Sequence, residues 1–227
     1  MQRHFDNQIQ ELPQKLVLMG SLADSMISLA LKALVERNET YCAEVKIKEL
    51  EVNQLQMDVD DRAVKLTALQ QPVATDVRLL FMASRIASEL ERIADQAVNI
   101  CQNTHYVLQA PALKPLIDIP IMAGIAQKMV RDSLEALVQK NCDLAEHVLQ
   151  EEDKVDAFRN QIFRELLTYM MADPSTIQRA LSLILISRNL ERVGDHASNI
   201  AEEVIYLIKG RDVRHRDVHH KGDTAAG

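Results

Sequence analysis

Tryptophan is absent from the chain, and aromatic residues make up only 4% of its 227 residues. A core of stacked rings is therefore excluded. Burial must come from Leu, Ile, Val, Met and Ala, drawn from a hydrophobic share of 47%. Chain breakers are equally scarce. Six glycines and six prolines amount to about 5% of the chain, against roughly 12% in average usage, so long uninterrupted helices are expected. Basic charge is also short: the formal net charge is -7 and the sequence pI is about 5.5. Nucleic acid is not an expected partner, because a basic footprint would be needed. No Gly-rich phosphate cradle occurs, so neither nucleotide binding nor an organic cofactor is expected.

Cysteine is sparse and scattered. Cys42, Cys101 and Cys142 form no C-x-x-C pair, which points to free thiols in a reducing compartment. The stretch from Met1 to Glu11 is polar and carries no signal-peptide core. No run of about 18 uncharged apolar residues is evident, so no membrane-spanning helix is expected. The apolar run from Leu181 to Ile186 reads as the middle of a buried helix. Together these features place the chain in the cytoplasm.

Helical periodicity dominates what is present. Six helices are expected. The first covers Phe5 to Arg37 and stops near Asn38, and the second covers Thr40 to Leu69 before Gln70-Gln71-Pro72, where proline ends the backbone ladder. The third runs to Leu108 with Thr75 as its N-cap. Three prolines mark a linker over residues 110–119 and its end at Pro120. The fourth covers Pro120 to Lys140 and the fifth Asp143 to Met171. Asp173-Pro174-Ser175 introduces the sixth, which ends at Lys209 with Gly210 as a left-handed cap. Residues 211–227 read as a disordered tail, and its His215, His219 and His220 as solvated side chains.

The halves repeat. Leu90-Glu91-Arg92-Ile93-Ala94-Asp95 returns as Leu190-Glu191-Arg192-Val193-Gly194-Asp195, and Asn99-Ile100 as Asn199-Ile200, at a constant offset of 100 residues. A duplicated three-helix unit follows. Helices of about 30 residues are about 45 Å long, and short turns make neighbours antiparallel. The expected fold is all-α: two tandem antiparallel three-helix bundles related by a pseudo-two-fold axis, over residues 1–109 and 120–210.

On a helical wheel with Ile86 at the origin, Leu79, Leu90, Ile93 and Ala97 fall within about 40°, while Glu91 and Asp95 fall at about 140° and 180°. Glu191 and Asp195 sit likewise opposite Ile186. Each half thus presents E-x-x-x-D on its outer face. Taken alone, such a motif reads as surface ion pairing, here of Arg92 with Asp95, Arg192 with Asp195 and Arg188 with Glu191. Its repetition, and a second pair on the preceding helix in each half, favour more. Those pairs are Glu49 with Asn53 and Glu152 with Asp156. Four oxygen donors per half suit Mg, Mn, Ca or Fe, with Zn less suited where His and Cys are lacking. The second half, with four carboxylates, is expected to bind a metal more tightly than the first. A ferritin-like carboxylate oxidase would need Glu-x-x-His, and none of the seven histidines stands three residues after a glutamate. A metal-free helical scaffold is the other alternative. Met170-Met171 read as core filler.

The chain resembles the PhoU family. The resemblance is carried by Gln71-Pro72-Val73-Ala74-Thr75-Asp76-Val77-Arg78-Leu79, the paired Leu-Glu-Arg motifs, Leu167-Thr168-Tyr169-Met170-Met171 and Lys209-Gly210-Arg211-Asp212-Val213-Arg214-His215. It implies tandem three-helix bundles whose carboxylate motifs bind iron or other divalent ions (Mn, Mg, Zn). The matching positions are Glu49, Asn53, Glu91, Asp95, Glu152, Asp156, Glu191 and Asp195, with Asn53 departing from the acidic form. It also implies a negative regulator of phosphate uptake and phosphate-regulon signalling. Such a regulator works with the ATPase-bearing phosphate ABC transporter and a PhoR-type membrane sensor histidine kinase, peripheral at the inner membrane through these partners. No catalytic residue and no enzymatic activity are expected, and a homodimer is the expected assembly.

Overall fold

The computed structural model describes residues 2–70 and 72–210. The expected tail, residues 211–227 with its three histidines, and Gln71 of the linking motif lie outside the described residues. Six helices follow one another: α1 (Gln2–Val35), α2 (Thr40–Gln70), α3 (Ala74–Leu108), α4 (Asp118–Gln139), α5 (Cys142–Ala172) and α6 (Ile177–Lys209). A 3-10 turn, Pro174–Thr176, precedes α6.

Each helix forms because its apolar residues recur every three or four positions. In α1, Leu12, Leu16, Met19, Ala23, Met26, Ile27, Ala30 and Leu34 are all 1% exposed or less. Pro13 lies inside this helix, where it removes one rung of the hydrogen-bond ladder. The stretch Gln8–Val35 is long and apolar enough to cross a membrane, with a mean hydropathy of 1.5. It is not an uncharged run, since Glu11, Lys15, Asp24 and Lys32 interrupt it, and α1 packs against α2, α3 and α4, so its apolar residues serve more than one side.

The connections explain the boundaries. Arg37 adopts a left-handed φ of 54°, and its Nη2 donates to the Ala110 and Leu108 carbonyls at 2.6 and 3.3 Å. Asn38 Oδ1 accepts from the Thr40 amide at 3.0 Å and starts α2. The N-cap of α3 is Val73, with no side-chain cap, rather than the expected Thr75; the backbone turns helical as soon as Pro72 is passed. Helix α4 starts at Asp118, two residues into the expected linker, because Pro120 is tolerated in a first turn whose amides lack partners anyway. The linker is held down: the Pro111 carbonyl accepts from Arg179 at 2.8 Å, and Lys114 pairs with Glu165. Asn141 caps α5 by accepting from the Leu144 amide at 3.1 Å. Asp173 accepts from the Ser175 amide at 2.9 Å, and the two Ser175 bonds hold its carboxyl below the ordinary range. Gly210 closes α6 with φ 65°, donating to the Tyr206 carbonyl at 2.9 Å, as expected.

Helices α1, α2 and α3 form one bundle and α4, α5 and α6 the other. They join through α3 against α6 and α1 against α4, while α2 and α5 touch only helices of their own half among the described residues. Gly20 lets α1 approach α4 closely: a Cβ there would stand 2.0 Å from Leu134 Cδ1. The cysteines are less scattered than the sequence implies, since Cys42 and Cys101 line one cavity between α2 and α3.

Candidate metal centre

The second half builds its site from α5 and α6. Gly194 lies buried against α5, where a Cβ would meet Val155 Cγ1 at an ordinary 3.5 Å. This contact places Glu191 and Asp195, on the flanks of Gly194, beside Glu152 and Asp156, on the flanks of Val155. All four carboxylates are half-buried. The Asp195 carboxyl is pushed up to about 6, first by burial and then by the charges of Glu152, Glu191 and Asp156. Glu191 is pushed up by burial and by Asp156, against the opposing charge of Arg159. The four groups therefore share one electrostatic neighbourhood.

A fifth group stands among them that the sequence reading missed. Arg159, one turn beyond Asp156, sets Nη2 3.1 Å from Glu191 Oε1 and 3.7 Å from Asp156 Oδ1. Its Nε is buried with no partner. With Ser187, Arg188, Glu191 and Asp195 it borders a cavity of about 550 Å³. The expected surface pairs within single helices give way to these contacts. Arg92 pairs with Glu89 at 3.4 Å, not with Asp95, and Glu191 pairs with Arg159 from the neighbouring helix.

In the first half, burial raises Glu91, followed by the charges of Asp95 and Glu49 against that of Arg92. Asn53 Oδ1 is buried without a hydrogen-bond partner. Glu91 thus feels the charges of Asp95 and Glu49, and Asn53 carries an unpaired oxygen on the same helix as Glu49.

One expectation needs correction. Glu91, Asp95, Glu191 and Asp195 do not sit on a bare outer face; they are half-buried at the seams with α2 and α5. Helix α3 packs against α1, α2 and α6, and α6 against α3, α4 and α5. With three sides covered, the face opposite the main apolar stripe becomes a groove.

Among the described residues, no three His, Cys, Asp or Glu side chains are gathered closely enough to form a coordination shell. The donor chemistry nevertheless fits a hard cation. Raised carboxyls mark negative charge that the protein does not fully offset, and the orphaned Asn53 oxygen is a neutral ligand of the right type. In the second half the Arg159 guanidinium supplies part of the missing positive charge.

Comparison with known proteins agrees with the duplication. The PhoU domain matches residues 16–104 and again 119–204. The chain is 36% identical over 214 residues to a phosphate-specific transport system accessory protein PhoU homolog of Pseudomonas putida, covering 94% of this chain and 84% of that one. A homolog of the same name from Aquifex aeolicus is 35% identical, over 95% of this chain and 98% of its own. The crystal structure of PhoU from Pseudomonas aeruginosa superposes with a TM-score of 0.87 at 34% identity, covering 91% of this chain and 100% of that one. A phosphate transport system regulatory protein PhoU from Streptococcus pneumoniae gives 0.83 at 26% identity, over 92% and 99%. With the domain matched in both bundles and relatives aligned along nearly the whole length, the chain belongs to the PhoU family.

Proposed function

We propose that the chain is an accessory regulator of phosphate transport, restraining uptake and holding phosphate-responsive two-component signalling off when phosphate is plentiful. The observation that carries this reading is the full-length relationship to proteins named for the phosphate-specific transport system. In this reading it acts in the cytoplasm as a metal-binding adaptor. Its partners are the ATPase subunit of a phosphate ABC transporter and a PhoR-type sensor histidine kinase, and it reaches the inner membrane through them, as a homodimer. No catalytic step is assigned to it.

The fold supports an adaptor in a physical sense. Helices α2 and α5 each leave one long side uncovered by their own half, and α2 exposes Ile47, Leu50, Met57 and Val64 at 57–69%. Apolar residues at this exposure are stabilised when a partner covers them. Glu152, Asp156, Glu191 and Asp195 would hold a cation in the second half, and Glu49, Asn53, Glu91 and Asp95 in the first. A bound cation supplies positive charge that offsets the carboxylates and ties each outer helix to its central neighbour. Arg159 shares the second site by pairing with Glu191 and Asp156, and sets how much charge is left for the ion.

Deletion of the gene is the direct test. Constitutive expression of phosphate-starvation genes in high phosphate is expected, and normal repression without the protein overturns the reading. Pull-down from membranes at high and low phosphate is expected to recover transporter ATPase and sensor kinase. Recovery of neither would remove the adaptor role.

A further inference from the structure

The sequence separates Cys42 from Cys101, and the fold brings them together. Helices α2 and α3 run antiparallel in the register that sets Asp60 against Ser84 and Glu39 against His105, where the His105 Nδ1 to Glu39 Oε1 distance is 2.9 Å. Cys42 follows Glu39 by one turn, and Cys101 precedes His105 by one turn, so the two face each other across the seam. Both line a cavity of about 520 Å³ shared with Lys46 and His105. Cys42 is half-buried and Cys101 is only 6% exposed. Burial and the adjoining Cys42 thiol push the Cys101 thiol up, which marks Cys42 as the side that meets a reagent first.

The other half supplies an internal control. The offset of 100 residues between α3 and α6 carries Cys101 to Ala201, and the offset of 103 that aligns Glu49 on α2 with Glu152 on α5 carries Cys42 to Ala145. The dithiol is therefore a property of the first bundle alone, with alanine at both matching positions of the second.

We propose that Cys42 and Cys101 form a peroxide-responsive dithiol that closes to an intramolecular disulfide joining α2 to α3. The Cys42 thiolate, its proton given to solvent, attacks one oxygen of hydrogen peroxide. The O–O bond breaks, and the departing hydroxide takes up a proton and leaves as water. The sulfur, oxidised by two electrons, becomes a sulfenic acid. The Cys101 sulfur then attacks it, giving up its proton. The S–S bond forms, the S–O bond breaks, and a second water leaves. Two thiols and one peroxide yield one disulfide and two waters. Lys46, in the same cavity, favours negative charge on the Cys101 sulfur. The bridge closes a long loop, which stabilises the native state, and it fixes α2 against α3, the two helices that carry Glu49, Asn53, Glu91 and Asp95.

The full-length protein, reduced and then treated with a modest excess of hydrogen peroxide, is alkylated under denaturing conditions and mapped by peptide mass spectrometry. A peptide joining Cys42 to Cys101 is expected as the main product, with Cys142 alkylated, and the thermal midpoint of the oxidised protein is expected to rise. Cys142→Ser leaves the product unchanged, whereas Cys42→Ser and Cys101→Ala abolish it. Alkylation of all three cysteines after peroxide overturns the proposal. So does a sulfinic acid at Cys42 with Cys101 still alkylatable, or a bridge made through Cys142. Because the product is read on the wild-type chain, a variant that fails to fold does not protect the proposal.

Discussion

Asp195 sits where burial and three other carboxylates oppose its charge, and its carboxyl takes up a proton at about 6 instead of the ordinary 3.8. The sign of the linkage follows. Below the ordinary value the group is protonated in both folded and unfolded chains and exerts no penalty. As pH rises from there through about 6, the unfolded chain is already charged while the folded one resists charging, so stability falls and then levels off. In protein stripped of metal, Asp195→Asn is expected to be the more stable form at pH 8, by about 1–2 kcal/mol once solvent screening of a half-buried group is allowed for. The gap is expected to shrink toward pH 4. Urea unfolding at the two pH values checks this, and a gap independent of pH would contradict it. Adding a divalent cation is expected to narrow the difference at pH 8, because the ion offsets the same charge.

Arg159 changes how the two carboxylate sets compare. Glu49 and Asn53 align with Glu152 and Asp156, and the same alignment sets Gln56 against Arg159. The second site has one more carboxylate than the first and one more guanidinium, so both carry the same net charge. Counting carboxylates alone favours the second site for metal, and the arginine cancels that advantage. Arg159→Gln is expected to raise divalent-ion affinity at the second site about tenfold, the effect of removing roughly 1.4 kcal/mol of competition. Calorimetric titration of Mn or Mg with wild type and variant measures it, and unchanged affinity would show that Arg159 swings clear when the ion binds.

At the scale of helices, much was legible. Pro72, Asp173-Pro174 and Gly210 punctuate the chain, and the expected ends fall within three residues of the observed ones. The exceptions have local causes, such as Pro120 admitted into the first turn of α4. Side-chain facing was less legible. A wheel assumes one buried stripe, whereas α3 and α6 each pack against three helices; Ala94 and Gly194, beside the carboxylates, are fully buried. Register between helices was not legible at all, and with it went Arg159 on Glu191 and Cys42 beside Cys101. The repeat offers one stability prediction at this scale. Gly194 occupies the position of Ala94 in the other half, and a Cβ there meets its neighbours no closer than 3.5 Å. Gly194→Ala is expected to stabilise the protein by about 0.5–1 kcal/mol, by removing glycine from a helix interior. A lower urea midpoint would mean that α5 and α6 are already packed too tightly to admit a methyl group.

For the whole molecule, the α3–α6 seam decides whether the halves behave as one body. Ile86 and Leu90 of α3 and Ile186 and Leu190 of α6 are fully buried, and polar groups also join these two helices. Arg85 Nη2 lies 2.7 Å from Glu203 Oε1, with the Glu203 side chain only 5% exposed. Glu89 Oε2 accepts from Asn199 at 3.0 Å and lies 2.8 Å from His196 Nδ1. Burial works to raise the Glu89 carboxyl, but His196 and Asn199 together outweigh it and hold the group below its ordinary range. Its stabilisation is therefore present at neutral pH and lost as acid protonates it. These groups are not duplicated: Leu185, Asn189, Gln96 and Asn103 stand at the positions matching Arg85, Glu89, His196 and Glu203. The pairs therefore join unlike surfaces of two like bundles and fix which way round they meet. Removing Arg85 leaves the Glu203 carboxylate buried without that cation, a loss of about 2–3 kcal/mol. Removing Glu89 leaves His196 and Asn199 without their acceptor. Arg85→Ala with Glu89→Ala is accordingly expected to lower stability and to separate one cooperative melting transition into two, because each bundle keeps the packing among its own three helices. Differential scanning calorimetry reads this directly. A single transition, shifted down but undivided, would show that the apolar contacts of α3 with α6 and α1 with α4 are sufficient to couple the halves.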